Sequence, residues 1–352
     1  MFASMVILAT LYSVSPPVEV LQGNRDVTLH KVGAGAVAFV ITPDENTIVT
    51  GGVDRSIRIW AVSDGKLRSM TAHHSCDILT LGISANGRVL ASGHSDGSVL
   101  MWDLESLKVV SRFVEHSGAV RALSFSPDGQ TLASAGDDGS VVLWNTLTNL
   151  QHRKLEGHKV RITQLAYAPD KDVLVSASID GVVKAWDARK GKELSSLKER
   201  GQALALAFSP NGKSIAIGTG GDVSFLEENA KVSFRDVFTK MTMPGRILVW
   251  DWANGVVTHS HELQVGQVSS ISYSPDGQKL AYGTIRWKIG EFVFDMRQER
   301  GEIAIWDPFL KSFETPTMQP SQGVVSIKHS KNGKWIAFLD TNGPVKIMRW
   351  SK

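Results

Sequence analysis

A turn motif returns seven times along the chain, and its spacing limits the folds open to the sequence. It reads ITPDEN at 41–46, ISANG at 83–87, FSPDG at 125–129, YAPDKD at 167–172, FSPNG at 208–212, YSPDG at 273–277 and HSKNG at 329–333. Each carries Pro or a small residue, then Asp or Asn, then usually Gly, the order that a tight turn between antiparallel strands prefers. Alternating apolar residues precede each turn, and a short β-rich run such as TLASAG or VLVSAS follows it, which is the pattern of paired strands. Seven turns predict seven units.

Over the first four units the register is strict. Pro43, Ala85, Pro127 and Pro169 stand 42 residues apart, as do Trp60, Trp102, Trp144 and Trp186. Asp54, Asp96, Asp138 and Asp180 keep the same step, and so do Thr50, Ser92, Ser134 and Ser176. A unit of that length holds four short strands, the blade period of a propeller, in which each small sheet buries its faces against its neighbours. Setting aside about 29 residues before the first unit and about 37 of inserted material leaves close to seven units. The expected fold class is therefore all-β: a seven-bladed β-propeller of four-stranded antiparallel blades over residues 21–352, preceded by an apolar segment over 1–20.

These columns resemble the WD-repeat family, whose units carry a Gly-His near the start and a Trp-Asp near the end. Here the second pair reads Trp102-Asp103, Trp186-Asp187, Trp250-Asp251 and Trp306-Asp307, with Trp144-Asn145 and Trp60-Ala61 as variants. Gly157-His158 is the complete Gly-His; His74 and His116 hold the same register without the glycine. The resemblance implies a hydrogen-bonded tetrad inside each regular blade: His74, Ser92, Asp96 and Trp102 in blade 2, His116, Ser134, Asp138 and Trp144 in blade 3, and His158, Ser176, Asp180 and Trp186 in blade 4. Blade 1 has Thr50, Asp54 and Trp60, with His30 two residues out of register. The resemblance also implies a ring closed by an N-terminal strand, Asp26 to Leu29, pairing into the last blade, where Met348 stands in the tryptophan column.

Ser, His and Asp recurring together three times could suggest catalytic triads. Nucleophilic catalysis needs a serine exposed in a pocket beside an oxyanion hole. The same set in successive repeats points instead to a repeated structural task, since a buried indole N–H or imidazole is costly without a partner. No phosphate loop of the GxxxxGK[ST] type, no C-x-x-C pair and no spaced metal-ligand cluster occurs, so no cofactor or metal is expected. Cys76 is the single cysteine and cannot form an intrachain disulfide.

Specific function is expected where the repeat breaks. Blades 5 and 6 lack the His and the Ser or Thr, and both carry added residues between their second and third strands, at 222–245 and 285–301. In WD-repeat propellers that turn lies on the face that also carries the blade connections. The insertions hold Phe225, Phe234 and Phe238 in one and Trp287, Phe292 and Phe294 in the other, with Arg286, Lys288, Arg297 and Arg300 interleaved. Aromatics and Arg are the residues most enriched at binding hot spots. These residues also fit a second use, in which the insertions pack on each other as hairpins around a private aromatic core.

The expected partner is a protein or peptide. The insertions together carry seven acidic and seven basic residues, and the chain's formal net charge is +3; neither makes a phosphate-tracking surface, which argues against nucleic acid. The alternative is a propeller enzyme or small-ligand binder with its site at the central channel mouth. The inner strands offer Ser, Thr, Gln and Lys328 there, but no carboxylate cluster. Met5 to Ser15 is an apolar run of signal-peptide length without a basic flank, so an exported protein and a cytoplasmic one with an apolar tail or edge strand both fit. No later stretch approaches the ~20 apolar residues of a membrane helix.

Overall fold

Each recurring turn joins the first two strands of an antiparallel sheet. The computed structural model describes residues 27–28, 36–71, 75–222, 243–264, 266–289, 296–299, 301–314, 320, 322–341 and 345–350. Within them it shows seven sheets and no helix. Blade 3 sets the pattern: Val120–Phe125, Thr131–Gly136, Val141–Asn145 and Leu150–Leu155 lie side by side from the inner strand outwards. The other inner strands are Ala36–Ile41, Ile78–Ile83, Ile162–Tyr167, Gly201–Phe208, Gln267–Tyr273 and Val324–His329.

The same few bonds hold the turns of successive blades. Ser126 Oγ donates to Asp128 Oδ1 at 2.6 Å and accepts the Thr131 amide at 2.9 Å. Gly129 follows at φ 71°, a left-handed conformation that glycine enters without a Cβ penalty. Ser84 with Asn86, Ser209 with Asn211, Ser274 with Asp276 and Ser330 with Asn332 repeat the hydroxyl bond. Where the residue after the column tryptophan carries an acceptor oxygen, it works at the next turn: Asp103, Asp187 and Asp251 accept the Ser106, Lys190 and Asn254 amides at 2.8, 2.8 and 3.1 Å. Asn145 does the same for Thr148 at 2.8 Å. This Asx-type bond needs a short side chain with an acceptor oxygen, so Asn substitutes for Asp without loss.

The core lies between neighbouring blades. Ala122, Ala133 and Leu143 of blade 3 pack with Ile162, Leu165 and Leu174 of blade 4. Phe39, Ile48 and Trp60 of blade 1 pack with Ala337, Leu339 and Ile347 of blade 7, which joins the last blade to the first. In blade 7, Met348 takes the tryptophan column and is 1% exposed, among Ile303, Ile305 and Phe338. A two-residue strand, Val27–Thr28, lies outermost in that blade, with Val27 opposite Ile347 and Thr28 opposite Lys346.

Blades 5 and 6 differ from the sequence reading in where their extra material begins. Their second strands run Ser214–Asp222 and Leu280–Ile289, against six residues for Thr131–Gly136. Residues 285–289 therefore continue a blade strand rather than open a loop. Residues 286–289 pair with Met296–Glu299 as a hairpin, Arg286 opposite Glu299 and Lys288 opposite Arg297. Alternation along IRWKI allows strand pairing to carry on past the blade.

Candidate functional site

In blade 3 one hydroxyl serves two buried rings. Ser134 Oγ accepts the Trp144 indole N–H at 2.8 Å and lies 2.8 Å from His116 Nε2. His116 Nδ1 lies 3.0 Å from Asp138 Oδ2, which also accepts the Ser117 amide at 3.2 Å. Blade 4 brings together three of its four residues. Trp186 donates to Ser176 Oγ at 2.8 Å and His158 Nε2 lies 2.7 Å from it. Asp180 instead takes the Ser178 hydroxyl and the Val182 amide, leaving His158 Nδ1 buried without a hydrogen bond. Burial, and after it the Lys184 ammonium, holds the His158 pKa down at about 4, so the ring is neutral near pH 7. In blade 1, Trp60 donates to Thr50 at 2.9 Å and Asp54 pairs with Arg58.

Ser92, Ser134 and Ser176 are each 0% exposed. A nucleophilic serine has to be exposed to its substrate, and these three are sealed between blades. Among the described residues, no group of three or more His, Cys, Asp or Glu is arranged to hold a metal ion.

The insertions rise from the ends of the second strands of blades 5 and 6. Phe225, Phe234, Phe238, Phe292 and Phe294 lie outside the described residues. Trp287 and Arg297 sit on the two strands of the blade 6 hairpin, next to one another in register but not directly opposite. Arg286, at its base, forms an ion pair with Glu302. Gly245, just after the blade 5 insertion, donates its amide to the Gly266 carbonyl of the connection into blade 6 at 2.8 Å, so the two insertion bases adjoin.

The inner strands enclose a channel of about 720 Å³. Arg121, Gln164, Ser270, Ser326, Lys328 and His329 are among its lining residues, and no carboxylate is among the described ones. Arg121 is committed to Asp137, with bonds of 2.9 and 2.8 Å, and Arg161 shares that carboxylate at 3.1 Å.

A family model described as WD domain, G-beta repeat matches residues 21–61, 65–103, 107–145 and 149–187. The solved structure of U3-55K superimposes with a TM-score of 0.74 at 18% identity, over 95% of this chain and 100% of that one. The crystal structure of RRP9 WD40 repeats does so with a TM-score of 0.73 at 18% identity, over 96% and 99%. Residues 21–187 carry four WD repeats, and the whole chain has the WD-repeat β-propeller fold. At that identity the structural likeness speaks for the fold alone. Telomerase protein component 1 of Rattus norvegicus is 27% identical over 175 residues, 44% of this chain, and that of Mus musculus is 24% identical over 211 residues, 46% of this chain. The chain spans only 6% and 8% of the length of these curated relatives. A WD-repeat propeller is a fold typical of protein-interaction scaffolds.

Blade 2 of this WD-repeat chain holds a residue that the column reading missed. Trp102 donates to Ser92 at 2.9 Å, and the imidazole on that hydroxyl is His94, whose Nε2 lies 2.9 Å away. His94 Nδ1 is 3.7 Å from Cys76 Sγ. His74 lies outside the described residues. Asp96 accepts the Ser98 hydroxyl at 2.6 Å and stands 3.7 Å from Arg112. Strand alternation was the available signal: residues two apart share a face, so a histidine two places after the column serine reaches the same hydroxyl.

Proposed function

We propose that this chain is a non-enzymatic scaffold that captures a protein or peptide partner on the face carrying the blade 5 and blade 6 insertions. The observation that carries this reading is the pair of lengthened second strands, Ser214–Asp222 and Leu280–Ile289, on adjoining blades and pointing to one face. A rigid ring that raises two neighbouring extensions offers loops held at fixed separation, the usual arrangement for binding residues. Phe225, Phe234, Phe238, Trp287, Phe292 and Phe294 supply candidate anchors, with Arg286 and Arg297 as the rim. The curated relatives are named as a protein component of telomerase, which agrees with a role inside an assembly. The equal acidic and basic content of the insertions favours protein over nucleic acid.

The test replaces 223–242 and 290–295 with Asp-Gly turns like the one at Asp138 and Gly139, and compares affinity capture from the native cell with the full chain. Circular dichroism and the unfolding midpoint establish that the ring persists. Partners captured by the full chain and lost by the variant support the reading. An unchanged set of partners overturns it, as does loop-dependent binding of a single-stranded oligonucleotide in place of protein. Arg286→Ala with Trp287→Ala should weaken capture without moving the midpoint of the ring.

A further inference from the structure

The last-but-one residue of each inner strand is among those lining the channel, and six blades place an uncharged residue no larger than valine there: Val40, Gly82, Ser124, Ala166, Ala207 and Ser272. Blade 7 places Lys328. Its side chain is solvent-accessible although protein surrounds it, because the space it occupies is the water-accessible channel. Among the described residues nothing pairs with its ammonium. Arg121 is neutralised by Asp137, and no described carboxylate lines the channel. Among the described residues Lys328 is therefore a charge without a counter-charge, and it borders the open channel.

The surroundings add donors but little further charge. Ser272 Oγ accepts the His329 amide at 3.1 Å, and Ser270 Oγ accepts the Ile327 amide at 2.9 Å. An oxygen occupied as acceptor still has its proton to give, and among the described residues neither hydroxyl donates it. His329, beside Lys328, has both ring nitrogens buried without partners. Burial lowers its pKa to about 4, so it is neutral near pH 7. One ammonium, neutral hydroxyls and no competing carboxylate match a group of single negative charge. A carboxylate would form a charge-assisted bond with the ammonium and accept a second one from serine. Lys331 lines the rim of the same mouth.

We propose that the turn-bearing mouth of the channel binds a carboxylate, with Lys328 as counter-charge and Ser272 as hydrogen-bond donor. Each inner strand ends at its turn and the second strand runs back, so this mouth is on the opposite face from the insertions. The two sites can fail separately.

The full chain, with lysines reductively methylated using ¹³C, is titrated with acetate at constant ionic strength and with chloride as control. Lys328→Met identifies the Lys328 signal. That signal should shift saturably with acetate and not with chloride, and Ser272→Ala should weaken the binding by about tenfold or less, as one lost hydrogen bond would. A short Gly-Ser peptide with a free C-terminal carboxylate is then compared with its amide. Tighter binding of the free acid than of acetate marks a chain terminus as the ligand; equal binding marks a small acid. A Lys328 signal that follows chloride as it follows acetate overturns the proposal, and so does one that moves with neither.

Discussion

A single hydroxyl decides whether a blade's polar interior is satisfied. Ser134 stands between Trp144 and His116, and Ser134→Ala would orphan both. Leaving a buried donor or acceptor unmade costs roughly 1–3 kcal/mol, so we expect urea unfolding to show a loss of about 2 kcal/mol or more. Blade 5 lives with half of that defect. Ile217 takes the serine's place there, opposite Leu248, and the Trp250 indole nitrogen is buried without a partner. A variant as stable as the parent would show that packing, not this bond, holds the indole. His158 and His329 give a pH dependence of definite sign. Their folded pKa values of about 4 lie below the 6.5 of a free imidazole, so the unfolded chain binds protons first as the pH falls. Their contribution is complete above pH 6.5 and is lost progressively towards pH 4. Unfolding midpoints measured across that window should fall with pH, and His158→Asn should reduce the slope by about one proton.

At the scale of the strand and blade, close approach matters as much as pairing. A Cβ added to Gly283 in blade 6 would lie 2.3 Å from Val324 Cγ1 of blade 7, nearer than any real contact. Gly283→Ala must push these blades apart, at about 1–3 kcal/mol for an overpacked core. Val324→Ala removes the two methyls but leaves the Val324 Cβ, which lies 2.5 Å from the added atom, so a double-mutant cycle should show the second change recovering only part of the loss. Purely additive losses would remove the steric account. The turns, the Trp-Asp pairs and the inner strands were legible because each rests on a local bond or on a column repeated every 42 residues. Features set by one blade alone were not. His94, two places after the column serine, bonds Ser92 within its own strand, and the second strand of blade 6 runs on to Ile289, into residues read as insertion. Asp180 occupies its column yet bonds Ser178, a choice between two nearby hydrogen-bonding partners that spacing does not encode.

At the scale of the whole ring, blade 7 differs from the others in taking its outer strand from the start of the chain. Blade 7 supplies three strands of its own, Val324–His329, Trp335–Asp340 and Val345–Arg349, and its outer position is held by Val27–Thr28. Without that short strand, the amides and carbonyls of Val345–Arg349 form an open edge, and open edges recruit strands from other molecules. Ile347 and Val345 also pack against blade 1, so loosening the edge loosens the seam between last blade and first. Removing residues 1–28 is therefore expected to lower the unfolding midpoint and to produce concentration-dependent oligomers in size-exclusion chromatography with light scattering. Removing only 1–20 keeps Val27–Thr28 and should leave a monomer with the parent midpoint. The comparison separates edge protection from any effect of the apolar segment, because both truncations lose Met5 to Ser15 and only one exposes the strand. If both behave alike, the ring is held by the blade interfaces and the Val27–Thr28 pairing contributes nothing to closure.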